Sequence, residues 1–127
     1  MNANVVGIGV DLVDVDELQQ LLGATEGAFL ETGWTPNELA QCERQSSQLA
    51  ACWAAKEAAM KALGLGIGEI DPHDVEVDMG NRRRPLIHLS GSAAAARIDR
   101  DIASLVVTVA LDRRWAIATA IAMGPAK

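Results

Sequence analysis

WAAKEAAMKALG, residues 53–64, decides the fold of this chain. Leu49, Trp53, Met60 and Leu63 recur at helical spacing, and the alanines between them favour helix strongly. Gly64 supplies a C-terminal stop, and Ser46 or Ser47 is placed to cap the start, so the sequence predicts a central helix over residues 48–63. Glu57 and Lys61 stand four apart and share one face of it, a face that Ala50 and Ala54 continue toward the N-terminus with small side chains that leave room for a ligand. As an exposed pair, Glu57 and Lys61 contribute only about 0.3 to 0.5 kcal/mol to the helix. Lys61 in the last turn either stabilises the helix dipole or reaches a phosphate at the mouth of the Gly64-Leu65-Gly66 loop.

Outward from this helix, GIGVD at residues 7–11 follows Val5 and Val6, a short, mostly β-branched run that reads as a buried first strand stopped by Asp11. Asp16 to Leu22 reads as a short helix closed by Gly23. Thr35-Pro36-Asn37-Glu38 is a capping box with proline at the first helical position, so another helix begins near Pro36. After the central helix, Val75 to Met79 and Leu86 to Leu89 bracket Gly80-Asn81 as a hairpin, and Ser90 to Arg100 reads as an alanine-rich helix. Ser104 to Leu111 and Trp115 to Met123 form a second hairpin around Asp112-Arg113-Arg114. This order predicts an α+β fold with a largely antiparallel sheet packed on the long central helix.

The chain has 127 residues, the size of a single domain spanning residues 1–127. Half of its residues are apolar, rich for so small a body, which implies that part of the apolar surface meets another subunit. A net charge of -6 argues against a general binder of nucleic acid or of anionic membranes, since both reward clustered positive charge. The N-terminal stretch has neither the basic region of a secretory signal nor the length of a membrane span, so a cytoplasmic location is expected. Cys42 and Cys52 lack CxxC spacing, so they are expected to be thiols that fill space rather than structural zinc ligands.

An acid at the end of a strand is commonly a cap or turn residue, yet Asp11 can also face a helix carboxylate across a cleft. Asp11 and Glu57 together suit Mg²⁺, which takes one or two carboxylates, keeps waters, and completes its shell with substrate phosphate oxygens.

GIGVD, the Thr35 to Glu38 segment, AAKEAAMKALGLGIG at residues 54–68, DVEV at residues 74–77 and the turn from Gly80 to Pro85 resemble, in order and spacing, the holo-acyl-carrier-protein synthase family over nearly the whole chain. The resemblance implies the 4'-phosphopantetheinyl transferase fold. It also implies transfer of the 4'-phosphopantetheine arm from coenzyme A to a serine of an acyl carrier protein. In the family the Mg²⁺ ligands match Asp11 and Glu57, and a phosphate-contacting lysine matches Lys61. Gly64, Gly66 and Pro85 match positions lining the nucleotide site, and Thr108 falls where a strand contributes polar contacts. Such proteins are usually homotrimers with sites at subunit boundaries. The chain departs from the family pattern at Glu17, where a basic residue is common, at Cys52 for an arginine, at Leu65 for a threonine, and at Leu111 for a histidine. Arg82, Arg83 and Arg84, or Arg113 and Arg114, either replace the missing charge or are simply solvated. The departures also admit a second function: a repurposed family member, non-catalytic or acting on a polyketide-like chain. A bare structural trimer would leave the retained acids without a role.

Overall fold

A computed structural model describes residues 4–66, 68–80 and 84–126. The chain runs β1 (Val5–Asp14), α1 (Val15–Ala24), α2 (Ala28–Gly33), α3 (Pro36–Cys42), α4 (Ser46–Ala62), β2 (Val75–Asp78), β3 (Leu86–Leu89), α5 (Gly91–Asp99), β4 (Ser104–Leu111) and β5 (Trp115–Met123), with one 3₁₀ turn at Pro72–Asp74. β1, β5 and β4 form an antiparallel three-stranded sheet in that order, and β2 pairs antiparallel with β3 in a separate two-stranded ribbon. The expected α+β architecture is therefore present, with the antiparallel strands divided between two sheets. Asn81, Arg82 and Arg83, at the expected β2–β3 turn, lie outside the described residues. No helix among the described residues is long and apolar enough to cross a membrane.

α4 lies across one face of the three-stranded sheet, and the facing side chains explain how closely. Gly7 and Gly9 of β1 and Ala116, Ala118, Ala120 and Ala122 of β5 point toward a helix whose own buried residues are mostly alanine. A Cβ at Gly7 or Gly9 would collide with the backbone carbonyl oxygens of Ala62 and Ala58, so strand and helix meet nearly backbone to backbone. Backbone atoms cannot swing aside as a flexible side chain can. Gly9→Ala is accordingly expected to destabilise the fold by about 3 kcal/mol, the upper part of the usual overpacking range, read as a lowered urea midpoint with an unchanged m-value. Ala50 and Ala54 are also wholly buried. They serve this close packing and leave no room for a ligand, contrary to the sequence expectation.

Two further expectations change. β1 continues through Asp11 to Asp14, with Asp11 opposite Ala118 of β5, because Leu12 and Val13 keep the ladder paired. Nor is β1 buried on both faces: Ile8 is 63% exposed, Val10 50% and Leu12 57%. With Val106, Ile117 and Ile121 they make the sheet's outer face largely apolar, with Thr119 and Thr108 beside Val10 across its middle.

The helix ends follow local chemistry. Thr35 and Glu38 complete the capping box: Thr35 Oγ1 accepts from the Glu38 N–H at 3.1 Å, and Glu38 Oε1 accepts from the Thr35 N–H at 2.8 Å. Neither serine caps α4; Ser46 is its first helical residue and Gln45 holds the N-cap position. At its other end Gly64 turns left-handed (φ 78°). Its N–H donates to Lys61 O at 2.9 Å and the Leu65 N–H donates to Met60 O at 3.1 Å, which together form a Schellman motif. α1 runs to Ala24, past the expected stop at Gly23, and closes at Thr25, whose Oγ1 donates to Leu21 O at 2.9 Å.

α4 also carries a charge into the core. Lys56 and Glu38, both fully buried, meet at 2.7 Å. Lys56 Nζ donates to Glu38 Oε1 and, at 2.9 Å, to Val75 O, while Glu38 Oε2 accepts from the Val77 N–H at 2.7 Å. One buried ion pair thereby ties α3, α4 and β2 together, every charge satisfied by hydrogen bonds.

Candidate active site

Period-two alternation along β1 turns Asp11 to the same face as Gly7 and Gly9, toward α4, while Val10 and Leu12 face outward. Lys61, from the last turn of α4, donates through Nζ to Asp11 Oδ1 at 3.1 Å and to Val10 O at 2.9 Å. The lysine therefore clamps helix to strand through the carboxylate. Lys61 stands in the last turn of α4 with its side chain half-exposed, and its amine is bonded to β1.

Glu57 stands one turn earlier on the same side of α4 and is only 9% exposed. It is not half of an exposed Glu57–Lys61 pair, since Lys61 binds Asp11 instead. Glu57 Oε1 is buried and has no hydrogen-bond partner among the described residues. Burial, followed by the negative charge of Asp11, pushes the Glu57 carboxyl above its ordinary range; the Lys61 ammonium opposes the shift. Two carboxylates are thus held near one another with one oxygen unsatisfied, an arrangement that calls for a cation or a proton.

Asp11 and Glu57 both line a cleft of about 330 Å³ between β1, α1 and α4. Its apolar wall comes from Leu18 and Leu21 of α1 with Phe29 and Trp53. The two aromatic rings meet edge to face at 5.1 Å and both pack on Trp34, whose indole Nε1 donates to Leu49 O at 3.2 Å. That cluster fixes the wall rigidly against α4. A long, flexible, partly apolar group fits along such a wall, with its charged end at the carboxylates.

The donor set fits a magnesium ion. Among the described residues no group of three or more metal-ligating side chains gathers at one point, so an all-protein cage is absent. Two carboxylates facing an open cleft, one with an orphaned oxygen, leave the remaining positions to water and phosphate, as Mg²⁺ requires.

The other expected site residues fall into three places. Gly64 forms the left-handed turn at the end of α4, and the Gly66 N–H donates to Glu69 Oε1 at 3.3 Å. Pro85 is buried immediately before β3. Thr108 sits on the exposed outer face of β4, opposite Thr119, and the fold of one chain does not bring it to Asp11 and Glu57.

The departures from the family pattern also have positions. Glu17 lines the Asp11–Glu57 cleft. Cys52 is fully buried on the side of α4 that carries Lys56; a hydrogen bond with Cys42 and then burial push its thiol well up, which leaves it a core residue. Leu65 packs against the core, and Leu111 ends β4 opposite Ala116. Neither leucine lines the cleft. Arg114 is engaged: its Nε and Nη2 donate to Asp14 Oδ2 at 3.2 and 3.0 Å, and its guanidinium lies 5.3 Å from the Trp115 ring centroid. Asp14 in turn caps α1 through the Asp16 and Glu17 N–H groups.

The profile of a family described as the 4'-phosphopantetheinyl transferase superfamily matches residues 7–120. The chain is 37% identical over 126 residues to the holo-[acyl-carrier-protein] synthase of Desulforudis audaxviator, covering 97% of this chain and 96% of the relative. It is 42% identical over 120 residues to the protein of the same name from Frankia alni, covering 93% and 97%. Among solved structures it is similar to Helicobacter pylori holo-[acyl-carrier-protein] synthase in complex with coenzyme A, with a TM-score of 0.80 at 31% identity over 91% of this chain and 98% of the other.

Proposed function

The chain belongs to the 4'-phosphopantetheinyl transferase superfamily, and from that premise we propose that it moves the 4'-phosphopantetheine arm of coenzyme A onto a serine hydroxyl of an acyl carrier protein, with Asp11 and Glu57 as ligands of Mg²⁺. It is an enzyme of the holo-[acyl-carrier-protein] synthase type. The observation that carries the assignment of the site is the buried, unpartnered Glu57 Oε1 beside Asp11 in one cleft.

In this reading the carrier serine oxygen attacks the β-phosphorus of coenzyme A. The bond from that phosphorus to the bridging oxygen breaks, and adenosine 3',5'-bisphosphate leaves. Bound magnesium would neutralise charge on the pyrophosphate. Asp11 and Glu57 hold the ion, and Lys61, anchored on Val10 O and Asp11, sets the position of Asp11 and places positive charge beside the phosphates. Glu57 is assigned to take the proton of the attacking hydroxyl through a bridging water. The arm lies along the Leu18, Leu21, Phe29 and Trp53 wall, and Gly64, Gly66 and Pro85 border the nucleotide end.

The apolar outer face of the sheet supports a homotrimer. An exposed surface of this kind on a small chain is usually covered by further copies. Thr108 lies on that face, so its contact with nucleotide would be made in the cleft of a neighbouring copy.

The repurposed reading draws on Leu65 and Leu111 to make the cleft apolar, and their positions outside it weaken that reading. The test is direct. The protein is incubated with Mg²⁺, coenzyme A and a panel of apo acyl carrier proteins, and intact-mass spectrometry is expected to show addition of the arm to at least one. No addition to any carrier, together with no calorimetric binding of coenzyme A, defeats the assignment.

A further inference from the structure

The carboxylates of Asp11, Asp14, Glu17 and Glu57 line the catalytic cleft, and among the described residues no lysine, arginine or histidine lines it. Asp11 is paired with Lys61 and Asp14 with Arg114. Glu57 is 9% exposed, its Oε1 without a partner among the described residues, and it serves the ion of the proposed reaction. Glu17 is left over. It is exposed where the cleft opens, enters no ion pair among the described residues, and has Asp16, also exposed, beside it.

Charge around that opening has one sign. All 11 lysines and arginines of the chain lie from Arg44 onward, as do both histidines, so β1, α1, α2 and α3 carry carboxylates and no cation. Asp16, Glu17, Glu26 and Glu31 are exposed in this part of the chain. Acids in its first turn stabilise α1, which accounts for Asp16 and Glu17 as far as the helix is concerned. Helix stability does not account for the missing cations. A lysine or arginine in the last turn would favour α1, α2 and α3 alike, and none of the three has one. An acidic, cation-free rim that costs helix stability suits the binding of a positively charged partner.

The arm-transfer reaction supplies that partner. A serine on a carrier protein reaches the Glu57 end of the cleft only if the carrier's surface around it comes to rest on this rim, where Leu21, 47% exposed, offers an apolar foothold. Negative groups on that surface are repelled by Asp16 and Glu17, and positive groups are drawn in. We infer that Asp16 and Glu17 select the acyl carrier protein by charge, docking one that carries lysine or arginine beside its serine and rejecting one that is acidic there, a role that rests on the arm-transfer reading of the cleft.

One apo acyl carrier protein is prepared in two forms, with the two exposed positions nearest its serine changed to lysine or to glutamate. Each form is also made with the serine replaced by alanine, so that Kd is measured by calorimetry apart from transfer. The full-length protein is expected to bind the lysine form roughly 10-fold more tightly than the glutamate form, a difference that shrinks at high salt and falls on KM rather than kcat in the serine-bearing forms. Asp16→Asn with Glu17→Gln is expected to erase the preference and Asp16→Lys with Glu17→Lys to reverse it, each variant checked by thermal melting. A purely capping role would lower the melting temperature and leave the preference in place. Equal binding of the two forms, binding of neither, or a preference that the folded variants do not move overturns selection by charge, even where both forms receive the arm. If the preference is present and moves with Asp16 and Glu17 while neither serine-bearing form is modified, selection by charge stands and the transfer assignment falls.

Discussion

Asp11→Ala and Glu57→Ala are each expected to lower arm transfer by at least about 1,000-fold while leaving the protein folded. A metal ion supplies several kcal/mol of charge stabilisation in phosphoryl transfer, and each 1.36 kcal/mol is a factor of ten in rate. Each variant takes one of only two carboxylates from the proposed ion, and two ligands leave no redundancy. Folding should survive, because neither carboxylate holds the core together: Glu57 Oε1 has no hydrogen-bond partner among the described residues, and Asp11 is bonded chiefly to a half-exposed lysine. Stability provides a second readout through Glu57→Gln. The Glu57 carboxyl has a raised proton affinity in the native state, so between the ordinary carboxylate range and that raised value the folded protein binds more proton than the unfolded chain. Stability of the metal-free protein must then fall as pH rises through this window, and Glu57→Gln should remove that part of the fall in melting temperature. Transfer that persists near the unaltered rate in both alanine variants would show that the ion, if any, is held elsewhere.

Lys56→Met carries the largest expected cost in stability, about 3 to 5 kcal/mol by urea denaturation. The ion pair it breaks is wholly buried, and methionine fills the volume of the lysine stem without its charge. Glu38 would then keep the Thr35 and Val77 N–H groups but lose its counterion in a site with no access to water, and Val75 O would lose a donor. Desolvation explains why the penalty exceeds that of the exposed Asp11–Lys61 pair, where water can replace either partner. Lys56 and Glu57 are adjacent in sequence and point to different sides of α4, so transfer by the molecules that remain folded should be preserved. A midpoint shift equivalent to less than about 1 kcal/mol, the worth of a surface pair, would mean that water reaches Glu38.

Much of the arrangement was legible where local chemistry governs it. The capping box at Thr35 and Glu38, the glycine stop at Gly64 and the antiparallel pairing of β2 with β3 and of β4 with β5 follow from short-range rules, and the structure agrees with them. Pairing Asp11 with Glu57 could be expected because strand and helix periodicities turn each residue to a definite face. What failed depended on neighbours distant in sequence. Asp11 looked like the end of a strand because an acid rarely sits in mid-ladder, yet β5 pairs through it and Lys61 receives its charge. Ala50 and Ala54 looked like space for a ligand, whereas small residues on α4 admit a glycine and alanine sheet face. The Glu38–Lys56 pair spans eighteen positions, and no periodicity marks two opposite charges destined for the same interior point. Lys56 in particular reads as a solvated helix lysine until all sides of α4 are known to be covered.

β1 is a partition one backbone thick. Val10 and Leu12 stand on its outer side and Asp11 between them on the inner side, with no packing layer to absorb a disturbance. Gly7 and Gly9 remove the side chains that would otherwise cushion the strand against α4. Whatever covers the greasy exterior at Val10 and Leu12 therefore stands a single strand away from a carboxylate that it never touches.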